Sequence, residues 1–311
     1  MAEKIATRDA YGNALVEFAD KYDFVVLDAD LAAATKTGIF KKSYPERFFD
    51  CGIAEGNMMS VAAGIASTGK VAFASSFAMF AAGRAFEQVR NSIGYPGLNV
   101  KIGATHAGIS VGEDGATHQC LEDIALMRSI PGMVIINPAD ATEARLAVEA
   151  AIKHNGPVYL RFGRLAVPVL FDSSYKFELG KGVTLCEGTD VTIVATGLMV
   201  GAALEAKEIL ANEGISARVI NIHTIKPLDE EIILKAAKET GAIVTAEEHN
   251  IIGGLGSAVT EAVCATYPVP VLRVGVEDKF GRSGKVPPLL EMYGLTAENI
   301  VAKAKKAIEM K

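Results

Sequence analysis

Residues 133–162 read MVIINPADATEARLAVEAAIKHNGPVYLRF. The two ends, MVIINP and VYLRF, are short apolar, β-branched runs of the kind that form strands buried on both faces. The middle is a helix with a defined start: Pro138 precedes it, Asp140 can cap it, and Glu143 follows three residues on, as in a capping box. Strand, helix and strand in so short a span predict a parallel pair joined by a crossover. Upstream the same rhythm recurs. FVVLDA (from Phe24), VAFAS (from Val71) and VKIGA (from Val100) read as strands, and residues 55–67 and 81–93 as helices. The opening MAEKIATRDAYGNAL reads as the start of an amphipathic helix. Downstream the rhythm lapses between Leu165 and Gly182, where Pro168, Asp172, Ser173, Ser174 and Gly180 collect. It resumes with DVTIVATG, ARVINI, AIVTAEE and VPVLRVGV as strands and an amphipathic helix ending at Lys311. The expected fold class is therefore α/β in two domains, each a mainly parallel sheet with helices on both faces. The expected boundaries are 1–165, a linker at 166–182, and 183–311.

Bulk properties narrow the function. The chain has 311 residues, half of them hydrophobic, and a net charge of −6. That composition fills two cores and supplies no electrostatic reason to expect nucleic acid. No apolar run reaches the ~20 residues of a membrane span, and the N-terminus lacks the ordered regions of a secretory signal. Cys51, Cys120, Cys186 and Cys264 are scattered with no CxxC pair, which suits free thiols in a reducing cytoplasm. The expectation is a cytoplasmic protein without membrane or nucleic-acid partners.

Histidine is scarce, five in all, and two fall in ATHAGISVGEDGATHQ, where His106 and His118 bracket Glu113 and Asp114. This Gly-rich run follows a strand, so it belongs at the carboxyl edge of a parallel sheet, where α/β folds bind ligands. Imidazoles and carboxylates there can bind hydroxyls and move protons near neutral pH. The phrase CGIAEGNM puts Glu55 at a helix start, where a carboxylate is ordinarily just favourable with the helix dipole. FASSFAMFAAGRAF places Phe73, Phe77, Phe80 and Phe86 at spacings that ordinarily mean core packing. Two phrases mislead: GGLGSA from Gly253 follows no strand that opens a βαβ unit and reads as a turn before a helix, and SGKV from Ser283 lacks the remainder of a P-loop.

These features stand in the order found in transketolases. GEDGATHQ, the ATR near the start, FAAG, INPAD and FGRSGK resemble that family along essentially the whole chain, but match only its second half, a pyrimidine-binding domain followed by a C-terminal domain. The GDG…N segment that holds metal and diphosphate in the family's first half is not found in the sequence. The resemblance implies the smaller subunit of a split, thiamin diphosphate-dependent transketolase that moves a two-carbon ketol unit between sugar phosphates. It implies a partner chain carrying the diphosphate and Mg2+ (or Ca2+), and two copies of each chain, α2β2, about a two-fold axis.

Residue by residue, the resemblance implies that Glu55 contacts the aminopyrimidine ring and favours its imino tautomer, and that Phe77 and Phe80 pack around that ring, with Ala74 in place of a third aromatic. Asp30 matches an aspartate near the cofactor. His106 and His118 match histidines at the reacting end of the donor, Asp114 an aspartate that reads a hydroxyl, and Arg8 and Arg164 the arginines that grip phosphate. The chain departs from the family at Ala54 and Gly56 beside Glu55, at Ala107, and at Ala34, where a serine is usual. Two related readings share this architecture, the deoxyxylulose phosphate synthases and the β chains of 2-oxoacid dehydrogenases. A third, from another class, is a regulatory subunit without chemistry.

Overall fold

The computed structural model describes residues 3–311. Among the described residues fourteen strands run in chain order: β1 (Lys4–Ala6), β2 (Phe24–Asp28), β3 (Phe48–Asp50), β4 (Val71–Phe77), β5 (Val100–Thr105), β6 (Val134–Ile136), β7 (Val158–Arg161), β8 (Ala166–Pro168), β9 (Val183–Cys186), β10 (Val191–Ala195), β11 (Ala217–Asn221), β12 (Thr224–Lys226), β13 (Ile243–Asn250) and β14 (Val271–Val276). The first large sheet has the order β12-β6-β7-β5-β4-β2-β3 and the second β14-β13-β10-β11-β9. Both are parallel except at one edge, where β12 and β9 run antiparallel. Their central strands are buried along their whole length, as their unbroken apolar runs require.

The crossover at 133–162 forms as its sequence dictates. Asp140 accepts a hydrogen bond from the Glu143 amide at 2.8 Å, and Glu143 Oε2 accepts from the Ala139 amide at 2.7 Å. Asp140 thus satisfies an orphan amide of the helix Ala141–Lys153, and Glu143 reaches back to fix the residue before the cap. Glu143 Oε1 also receives Tyr175 Oη at 2.6 Å and Asn221 Nδ2 at 2.8 Å, so a helix cap of the first half is bonded to a strand of the second.

Three stretches differ from expectation. Lys4–Ala6 are a strand and not the start of the helix, which runs Thr7–Ala19; Met1 and Ala2 lie outside the described residues. The stretch 165–182 is not a free linker. Ala166–Pro168 pair with Lys4–Ala6, and the Leu170 and Phe171 amides both donate to Asp140 Oδ2. The helical stretch 81–93 is wound wide: Ala85 N donates to Phe80 O and Tyr95 N to Arg90 O, each five residues back. Wide turns of this kind recur at functional sites because they re-aim side chains.

The two halves share one apolar core, since Met127, Ile130 and Ile135 cluster with Ile222, Ile233, Leu255 and Val259. Strand β12, from the second half, completes the first sheet against β6. The halves are therefore fixed relative to each other by sheet pairing as well as by packing. No helix among the described residues is long and apolar enough to cross a membrane.

Candidate active site

Strands β4 and β5 are neighbours, so Phe77 and Thr105 finish side by side at the carboxyl edge of the sheet. His106 follows immediately with φ 56, a left-handed turn that few non-glycine residues adopt and that lays its ring over Phe77. The two ring centroids are 3.8 Å apart at 25°. Phe80 lies nearly parallel to Phe77 at 5.8 Å. His118 closes the group edge-on to Phe80 at 5.4 Å and to Phe77 at 6.2 Å. Four of the residues singled out from sequence thus form one aromatic wall.

Arg8, in the first turn of the helix Thr7–Ala19, reaches His106 Nε2 at 2.8 Å and the Ala34 carbonyl at 3.1 Å. A guanidinium can only donate, so Nε2 must accept, and the ring proton sits on Nδ1, pointing at Thr105 Oγ1 at 2.9 Å. Burial pushes the His106 pKa down to about 3, and the charges of Arg8, Arg164, His118 and Lys36 push the same way. The ring is therefore a neutral donor of fixed tautomer. The sign is that of a depressed base: the fold favours neutral His106 above the ordinary value of 6.5, and that contribution is lost as pH falls towards 3. We expect 1H–15N correlation spectra to show an Nδ1–H imidazole at His106 from pH 8 to pH 5; an imidazolium appearing near pH 6.5 would contradict this assignment.

The loop after His106 is held by the other half of the chain. Gly108 has φ 83, and a Cβ there would meet the Glu248 carboxyl at 2.2 Å, so only glycine fits. Glu248 Oε1 accepts from the Ser110 amide at 2.6 Å. Gln119 Nε2 donates to Ile109 O, Gly112 O and Arg282 O at 3.0–3.2 Å. The tip of the loop carries Asp114, paired with Arg164 at 3.3 Å. Arg164 also donates to Val111 O at 2.6 Å. Beyond it lies an open groove of about 390 Å³ that Arg164 and Lys285 line from the two halves of the chain.

Glu55 starts the helix Glu55–Ala66. Its side chain is 2 % exposed, and Oε2 accepts from Arg84 Nη1 at 3.0 Å. The same guanidinium lies 4.8 Å from the centre of the Phe80 ring, which joins Glu55 to the aromatic wall. Asp30 stands apart: it is exposed at φ 61, and its backbone amide donates to Asp50 Oδ1. The buried acid of that turn is Asp28, which receives Leu31 N, Thr35 Oγ1 and Thr37 Oγ1. Sequence reasoning passed over Arg84, Thr105 and Glu248. The available clue to Arg84 was its place four residues after Phe80, the spacing at which helical side chains meet.

Residues 3–169 match the pyrimidine binding domain of transketolase, and residues 180–300 match the transketolase C-terminal domain. The chain belongs to the transketolase family. A Methanocaldococcus jannaschii protein named for the C-terminal section of transketolase is 51 % identical over 306 residues, spanning 97 % of this chain and 95 % of that protein. A 6-deoxy-6-sulfo-D-fructose transketolase subunit of a Clostridium species is 47 % identical over 98 % of this chain and 95 % of its own length. Among solved structures, a split gene transketolase described as an inactive beta4 tetramer superposes with a TM-score of 0.92 at 54 % identity, covering 99 % of this chain and 100 % of the other. This transketolase chain thus corresponds to the C-terminal section of the family's enzymes. Its homologues are transketolases, split-gene subunits among them.

Proposed function

We propose that this chain is the pyrimidine-side subunit of a two-chain transketolase that moves a two-carbon ketol unit from a ketose phosphate to an aldose phosphate, as in the pentose phosphate pathway. It works with an N-terminal partner in an α2β2 cytoplasmic enzyme. Residues 1–165 serve as the pyrimidine-binding unit, 166–182 as connector and 183–311 as the C-terminal unit. The observation that carries this reading is one unbroken chain of contacts running from Glu55 through Arg84 to Phe80, Phe77, His106 and His118, with Arg8 behind His106 and Arg164 beyond Asp114.

The residues fit the aminopyrimidine end of thiamin diphosphate. The planar N–H donor of Arg84 already lies on Phe80 and bonds to Glu55, so that slot accepts a flat ring with a polar edge. When bound, the cofactor supplies the nucleophilic carbon of ketol transfer; the metal and diphosphate belong to the partner chain. With the cofactor bound, Glu55 would hold the pyrimidine nitrogen and would exchange a proton with it from a position shielded from water. Phe77 and Phe80 fix the plane of the ring. Neutral His106, with its tautomer set by Arg8 and Thr105, presents a ring of fixed orientation to the donor's oxygens. His118, less buried, lies at the mouth of the wall, where it can pass protons to and from sugar hydroxyls. Asp114 takes a hydroxyl hydrogen bond, and Arg8 and Arg164 take the phosphate, a task suited to planar, permanently charged donors. Asp30, exposed at the sheet edge, faces the partner side of the cofactor. A half-site of this kind is incomplete, and association completes it.

Co-expression with the N-terminal section, followed by assay with a ketose phosphate, an aldose phosphate, thiamin diphosphate and Mg2+, tests the reading. Ketol transfer by the two-chain sample and none by this chain alone is expected. A complex that binds cofactor yet transfers nothing, or that consumes pyruvate instead, would sink it.

A further inference from the structure

Arg84 has no assigned role, yet it alone touches both the carboxylate and the aromatic face of the pyrimidine slot. It ends one of the wide helical turns, Met79–Arg84, which places it one helical step past Phe80. Its guanidinium lies 4.8 Å from the Phe80 ring centre and its Nη1 3.0 Å from Glu55 Oε2. These are the two interactions that the reading of the preceding section requires of an aminopyrimidine: a flat face on Phe80 and an N–H edge on Glu55. One slot cannot hold both groups.

The burial values say which group can yield. Glu55 is 2 % exposed and so needs a compensating donor, whereas the Arg84 side chain is 56 % exposed. A carboxylate taken out of water is costly unless something bonds to it. A half-exposed arginine can turn to solvent with its charge still hydrated. We propose that Arg84 competes with the pyrimidine ring of thiamin diphosphate for the slot between Phe80 and Glu55, so that cofactor binding has to move the guanidinium aside. Arg84 thereby holds Glu55 oriented and its charge compensated until the ring takes over both contacts. It sets cofactor affinity without joining the chemistry.

The inference rests on the proposed cofactor, and calorimetry separates the two. Thiamin diphosphate with Mg2+ is titrated into the two-chain complex carrying wild-type Arg84, R84M or R84K. R84M removes the competitor and leaves Glu55 without a donor, so binding should tighten about five- to tenfold, the combined worth of a partly exposed ion pair and a cation–π contact. R84K keeps the charge but not the plane, and should fall between R84M and wild type. Unchanged or weaker binding by R84M would overturn the proposal, since Arg84 would then be holding the ring in place. Absence of any thiamin diphosphate binding by the wild-type complex would overturn the cofactor assignment itself. Far-UV circular dichroism of this chain alone guards against a folding artefact: R84M should keep the wild-type spectrum while melting at a lower temperature, because buried Glu55 loses its donor.

Discussion

Replacing Glu55 with Gln in the two-chain enzyme is expected to lower kcat/KM for ketol transfer about 10²- to 10⁴-fold, the range that positioned proton transfer contributes. The substitution keeps the shape of the side chain and the start of the helix Glu55–Ala66. It removes the charge that can share a proton with the pyrimidine. Losing the interaction of a carboxylate with the helix N-terminus costs only about 0.3–1 kcal/mol, so the fold should survive. Steady-state rates at saturating thiamin diphosphate separate chemistry from cofactor loss. A fall of less than tenfold under those conditions would remove Glu55 from the proton-transfer role, and would favour the regulatory-subunit alternative.

From spacing alone Glu55 reads as a favourable helix-start carboxylate; the resemblance to transketolase singles it out, and its burial against Arg84 gives it physical weight. The strands at the centre of each sheet are legible because burial on both faces writes an unbroken apolar run, as in β2, β5 and β10. The strands that sequence reading passes over are β1, β3, β8, β9 and β12, which are three or four residues long and lie at sheet edges or in the small two-stranded sheet. An edge strand needs no two-sided apolar pattern. Its pairing is decided by tertiary packing, and no local pattern announces that β12 joins the sheet of the first half.

The part played by the second half is hidden for a similar reason. Its sequence offers no catalytic set and reads as structural. Strand β13 nevertheless carries Glu247 and Glu248, both buried, which the period of two along a strand sends to opposite faces. Glu247 receives the Leu255 and Gly256 amides at the start of the helix Leu255–Thr266. Glu248 receives Ser110 in the loop between His106 and His118. Two adjacent buried acids in a strand that opens on Ile243 and Val244 break the local pattern, and such breaks tend to mark functional or strained positions. The elements they hold are distant in sequence, which is why the pattern flags the acids and not their partners.

Removing the Asp123 carboxylate is expected to be the most costly single change for the fold, because it strands a buried cation. Asp123 and Arg161 pair at 2.8 Å with side chains 0 % and 3 % exposed. Asp123 Oδ2 also receives Tyr159 Oη at 2.9 Å. Arg161 Nη2 in turn donates to the Glu248 carbonyl at 2.9 Å, so one ion pair of the first half fastens the strand of the second half that supports the site loop. Cutting a buried pair by deleting one partner costs about 3–5 kcal/mol, because the surviving charge keeps its desolvation penalty and loses its compensation. Asp123→Ala should therefore lower stability by about that amount in equilibrium urea unfolding of this chain. Replacing both partners with apolar residues of similar size, Asp123→Leu with Arg161→Met, should recover part of the loss, since the two charges of the pair leave together while buried Glu248 loses the favourable charge of Arg161. The double variant still lacks the bond to the Glu248 carbonyl. In the two-chain enzyme it should raise KM for the sugar phosphate more than it lowers kcat, because it loosens the loop that carries Asp114 and leaves Glu55 untouched. If Asp123→Ala cost less than 1 kcal/mol, the pair would not be what joins the two halves behind the site, and the supporting role of Glu248 would have to rest on its carboxylate alone.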